Sequence, residues 1–150
     1  LVDVTITPNG TVCALDREGR IWWSRDGEKW DATRTARSLQ AVGLATPGDD
    51  RFVVIGTLIN DAPKNVVLVK HNASTQWHET ELPVPPLSVA FFDANRGAIA
   101  AEEYVFTTDD GGKTWQEALR QEGRVFRGVT YDAGVLRAVG DNAAILRVTP

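Results

Sequence analysis

"TTDDGGKTW" (107–115) follows a strand-like run, "EYVF" (103–106), and packs two aspartates, two glycines and a closing Trp115 into nine residues. Such a turn can serve a metal, a sugar or the fold itself, and its parts favour the fold. Counting from Thr108, the third residue is Asp110, whose carboxylate can accept hydrogen bonds from backbone N–H groups of its own turn. Gly112 supplies a positive φ where a side chain would clash. The hydroxyls of Thr108 and Thr114 suit bonds to the local backbone, and Trp115 can lay its ring over the hairpin and bury a large apolar area. Calcium is the chemical alternative. It requires about six to eight oxygen ligands, and neither the EF-hand spacing nor its distant glutamate is present. The expectation is a structural turn that binds no metal and needs no cofactor.

The stretch recurs. "SRDGEKW" (24–30) keeps Ser24, Asp26, Gly27 and Trp30 with one turn residue deleted. "KHNASTQW" (70–77) keeps Asn72 at the acidic position and Trp77 at the end, with Ser74 in place of glycine. The tryptophans lie 47 and 38 residues apart, close to the period of a four-stranded propeller blade, about 40–45 residues. Upstream of each turn runs a short apolar segment: "TVCALD" (11–16), "RFVVIG" (51–56), "GAIAAE" (97–102) and "VLRAVGD" (135–141). Each is preceded by another: "VDVTIT" (2–7), "QAVGLA" (40–45), "LSVAFF" (87–92) and "FRGVTYD" (126–132). Short β-branched and aromatic runs separated by Asn-Gly, Pro-Gly and Ala-Gly are strand and turn signals, and no helical period competes with them. The sequence therefore predicts an all-β propeller of about four four-stranded blades: 1–35, 39–83, 86–120 and 124–150. The last lacks an acidic turn and a closing tryptophan, so its final strand is expected to be missing. An unpaired edge is an association hazard, which points to an incomplete ring that other blades or further copies complete.

Composition narrows the functional classes. The 150 residues suffice for one domain with a sizeable core, and 43% hydrophobic with 24% charged content is ordinary for a globular protein. A net charge of −4 disfavours nonspecific binding to nucleic acid or to anionic membranes. No apolar run reaches the ~20 residues that cross a bilayer, so neither a nucleic-acid partner nor membrane insertion is expected. With no methionine in the chain, the expectation is that Leu1 is not a natural translation start. Cys13 is the only cysteine; in the apolar "TVCAL" it reads as a buried, inert thiol. His71 and His78 have no second ligand at metal-site spacing.

The pattern S/T-x-D-x-G-x-T-W resembles the Asp-box, or bacterial neuraminidase repeat, of sialidases and other glycosidases, sortilin-type receptors and the photosystem II assembly and stability factors. The match is complete at 108–115, one residue short at 24–30 and degenerate at 70–77. "GAIAAEEYVFTTDDGGKTW" (97–115) is most similar to the assembly-factor repeats, which are noncatalytic. The resemblance implies a propeller whose boxes sit on one face. Families with the box do not share one chemistry, and relatives are often exported, which implies a secreted or periplasmic place.

A sialidase-like enzyme would need converging arginines, a Tyr/Glu nucleophile pair and an Arg-Ile-Pro segment, and here "GRIWW" (19–23) has Trp22 at the proline position. Glycosidases need two carboxylates at a fixed separation, whereas adjacent Glu102 and Glu103 would point to opposite faces of a strand or lie in a turn. The expectation is a noncatalytic scaffold for protein–protein interaction or complex assembly. Its rival is a glycan-binding or glycosidase-like propeller of which this chain is a part. Arg34, Arg37, Arg120 and Arg124 fall in blade-to-blade crossings on the face away from the boxes, and form the candidate surface for an acidic protein partner. Trp22 and Trp23, on opposite faces of one strand, are expected to pack between blades.

Overall fold

The computed structural model describes residues 1–35, 38–71, 74–141 and 145–148. The described residues form fifteen strands in chain order, grouped as four antiparallel sheets in which sequential strands are neighbours. Blade one holds β1 (Asp3–Ile6), β2 (Val12–Leu15), β3 (Arg20–Ser24) and β4 (Asp31–Arg34). Blade two holds β5 (Leu39–Ala45), β6 (Arg51–Leu58), β7 (Lys64–His71) and β8 (His78–Leu82). Blade three holds β9 (Ser88–Phe91), β10 (Gly97–Ala101), β11 (Tyr104–Thr108) and β12 (Gln116–Arg120). Blade four has three described strands, β13 (Phe126–Asp132), β14 (Val135–Gly140) and β15 (Ile145–Val148).

The blades pack face to face, so both faces of an internal blade are apolar. This explains why β6 and β10 are buried along nearly their whole length instead of alternating. Three cores result. Cys13, Leu15 and Ile21 of blade one meet Leu44, Val54 and Leu68 of blade two. Val53, Ile55 and Val67 of blade two meet Ile99 and Phe106 of blade three. Ala98, Ala100 and Val105 of blade three meet Phe126, Leu136 and Ala138 of blade four. The fourth strands β4, β8 and β12 are largely exposed at the outer edge, as their polar sequences demand. The first strands line a central cavity of about 520 Å³ shared by β1, β5 and β9.

Trp23 lies between blades one and two, with its ring 5.6 Å from that of Phe52. The expectation for Trp22 is corrected: it stands 37% exposed on the other face of β3. Among the described residues no blade adjoins that face, so burial by a neighbour, the reason to expect an inter-blade indole, is absent there. Cys13 is buried at the first interface, and burial pushes its thiol up to about 11, leaving it protonated. The tyrosines pack as faces: Tyr104 stacks on Phe106 at 5.6 Å, and Tyr131 meets Phe92 at 5.7 Å.

Candidate functional site: the acidic hairpins and the loop face

The hairpin after β11 is a closed hydrogen-bond circuit. Thr108 Oγ1 donates to Asp110 Oδ1 at 2.8 Å and accepts from the Gly112 N–H at 3.0 Å. Asp110 Oδ1 also accepts from the N–H groups of Lys113 and Thr114 at 2.9 and 3.0 Å, while Oδ2 accepts from Thr114 Oγ1 at 2.6 Å. Trp115 Nε1 donates to the Gly112 carbonyl at 3.0 Å. The hairpin after β3 repeats the circuit. Ser24 Oγ donates to Asp26 Oδ1 and accepts from Gly27 N–H, the N–H groups of Glu28 and Lys29 reach Asp26 Oδ1 at 2.9 Å, and Trp30 Nε1 donates to Gly27 O. Gly27, Gly111 and Gly112 have φ of 77°, 77° and 92°, the left-handed region that glycine enters without steric cost. In blade two Asn72 lies outside the described residues. There Ser74 Oγ accepts from the Gln76 N–H, and Trp77 Nε1 donates to Arg34 O on blade one at 3.1 Å.

Both aspartates therefore face into their own turns. Burial alone would raise the Asp110 carboxyl, but the bonds from Thr114, Thr108 and Lys113 outweigh it and hold it at about 2. Asp26 is lowered chiefly by the Lys29 and Glu28 N–H groups. Because the Asp110 value is depressed on folding, its contribution is complete above the unfolded value near pH 4 and is lost as pH falls towards 2. Its carboxylate is partly solvated, so the contribution is on the order of 1 kcal/mol. Asp110→Asn is expected to be less stable than wild type by about that amount at pH 7, the gap closing between about pH 4 and 2. Urea midpoints at the two pH values measure it, and a gap that persists at pH 2 contradicts the assignment. Among the described residues no three His, Cys, Asp or Glu side chains group as a metal site.

The opposite face is built by the second-to-third-strand turns and the crossings. The Glu102–Glu103 turn clamps the crossing to blade four: Gln121 N–H donates to Glu103 O, Gly123 N–H to Glu103 Oε1 at 2.7 Å, and Phe126 N–H to Glu102 O at 2.6 Å. Glu102 itself is left-handed at φ 49°. This clamp presents Arg120, whose guanidinium lies 5.2 Å over the Tyr104 ring, and half-buried Arg124. Arg34 sits apart on blade one, paired with Glu18 at 3.3 Å, and Arg20 joins Glu18 and Asp16 there. Arg37 lies outside the described residues. The face thus carries arginines interleaved with carboxylates.

Two features escaped the sequence reading. Arg51, at the start of β6, donates from Nη1 to Ala94 O at 2.6 Å and to Gly111 O, fastening blade two to the hairpin of blade three. Nothing in "RFVVIG" signals this reach. The second is a cavity of about 350 Å³ between blades three and four, lined in part by Arg96, Asp109, Glu117, Tyr131 and Arg147.

No protein-family model matches the chain, and no curated protein matches it. Solved structures do. YCF48 bound to D1 peptide superposes with a TM-score of 0.75 at 18% identity, covering 100% of this chain and 50% of that one. The chain has a propeller fold. YCF48 from Cyanidioschyzon merolae matches with a TM-score of 0.66 at 17% identity over 98% of this chain and 50% of its own. The GH74 enzyme of Niastella koreensis matches at 0.65 and 15% identity over 90% of this chain and 26% of its own. The chain therefore spans about half the length of the YCF48 structures.

Proposed function

We propose that this chain is a noncatalytic propeller scaffold that binds protein partners during complex assembly, its acidic hairpins being Asp-boxes that serve the fold. The observation that carries the reading is the superposition of the whole chain on YCF48 bound to D1 peptide, together with hairpin carboxylates turned into their own backbone. The partner surface is the loop face, where the Glu102–Glu103 clamp presents Arg120 and Arg124 and an exposed ion pair with Glu18 holds Arg34. Charges placed at a rim act chiefly on the association rate.

Titrating fluorescently labelled D1 peptide with the chain tests this by polarisation. Saturable binding is expected, weakened about tenfold in the Arg120→Glu/Arg124→Glu variant and restored in part at high salt, which screens the reversed charges. A flat titration, or equal binding by the variant, overturns the reading. A second reading, glycan binding, is favoured by the 350 Å³ cavity, whose lining includes Asp109, Glu117 and Tyr131. Exposed Trp22 adds little to it, because the group over its ring is the Arg20 guanidinium at 5.9 Å. Saturable binding of neutral or sialylated oligosaccharides, lost in Glu117→Ala, would favour it.

A further inference from the structure

The two end faces of the blade stack are unequal to any surface between them. On blade one, Val4, Ala14 and Trp22 form one cross-strand row. The same row is Leu44, Val54 and Leu68 in blade two, and Val89, Ile99 and Phe106 in blade three. In those blades the row is packed beneath the preceding blade. On blade one it is open: Val4 is 60% and neighbouring Ile6 65% exposed. The closing tryptophans tell the same story. Trp77 packs into the interface with blade one and Trp115 into that with blade two, whereas Trp30 stands 44% exposed. Blade one thus repeats, position for position, a surface that elsewhere receives a blade.

What such a surface receives is the opposite face of another blade, and the chain holds one uncovered. On blade four, Val139 and Ile145 are paired neighbours at the positions of Leu15 and Ile21 in blade one and of Ile55 and Val67 in blade two. All four of those counterparts are fully buried, while Ile145 is 65% exposed. Flanking it, Arg137 and Arg147 pair across strands where blade one has Cys13 and Trp23. Trp23 meets Phe52 and lies in the core with Trp77. Arg137 is paired with Asp132, and Arg147, which also borders the cavity beside blade three, stands at the place of Trp23, where a docked blade one would set Trp30 as a favourable cation–π partner.

We infer that a second copy of this chain covers these faces: blade four of each copy docks on blade one of the other, and two copies close one ring. The proposal does not depend on the peptide-binding reading. Two chains, each matching half of a YCF48 structure, supply the length of one such propeller. Twice the four sheets of one chain falls within the ~4–8 blades typical of propellers. The contact is head-to-tail, and it ends in a closed dimer instead of a filament when the rotation closes at two.

Light scattering on the chain at micromolar concentration tests this, the expected mass being twice the 16.4 kDa of one chain. Val4→Asp/Trp22→Arg spoils the blade-one face and Ile145→Asp the blade-four face, both at exposed positions that leave the inner cores alone. Each variant by itself is expected to be monomeric. Their equimolar mixture is expected to regain a heterodimer, because one of its two contacts pairs both undamaged faces. A monomeric wild type would assign the faces to other blades or another partner and overturn the proposal. Species larger than a dimer, a dimer persisting in either variant alone, or a mixture that stays monomeric would overturn it too.

Discussion

Gly56→Ala is expected to cost about 3 kcal/mol and to lower the midpoint of thermal unfolding by about 10 °C. Gly56 lies in the middle of β6, paired with Ala41 of β5 beside a bulge that inserts Val42. A Cβ at this position would collide with the Gln40 carbonyl oxygen and lie 3.0 Å from Ala41 Cα. Both obstacles are backbone, so relief requires moving strand β5, and with it the core that Leu44 makes with blade one. Blade four uses the same device. Gly140 pairs with Phe126 beside a bulge at Arg127, and a Cβ there would stand 2.5 Å from the Val125 carbonyl oxygen. The bulge tightens the local twist, and a missing side chain admits the neighbouring backbone. Gly27→Ala is the control. Space around Gly27 is open and only its φ of 77° opposes a side chain, so a loss of about 1 kcal/mol is expected. Circular dichroism melts of the two variants measure the difference, and equal losses would refute the steric account.

Phe126→Ala is expected to cost about 3–5 kcal/mol and to divide the unfolding transition. The ring is fully buried where blade four meets blade three, and the residue's N–H is held by Glu102 O. Because each blade contacts only its neighbours, stability is close to a sum of blade and interface contributions. A cavity at one interface then loosens the terminal blade first. Hydrogen exchange should show β13–β15 opening well before β5–β7, whereas uniform loss of protection would mean that the stack behaves as one cooperative unit.

The first and second strands of each blade could be read from the sequence because runs such as "RFVVIG" have nothing to gain outside a two-faced core. The fourth strands, "DATR", "HETEL" and "QEALR", carry no apolar signal of their own. They were implied only by the turn before them and by its tryptophan. The internal logic of the hairpin was equally open to reading, since the residues that bond are only a few positions apart. What stayed hidden depends on contacts between distant segments. The reach of Arg51 to Gly111, the bulges at Val42 and Arg127, and the left-handed Glu102 have no local signature. The pair Trp22 and Trp23 shows the boundary well. Alternation fixes that the two indoles face opposite ways, but which one is buried depends on whether a blade stands beside each face.

The carboxylate of each acidic turn is satisfied within its own eight or fewer residues, so a blade carries that closure with it when it is copied or lost. Adding or removing such a unit leaves the box carboxylates Asp26 and Asp110 with their own partners, and it moves the place where an apolar sheet ends. Lineages built this way can change circumference by whole modules, and selection at the terminal faces then sets how many modules, from how many chains, make a circle.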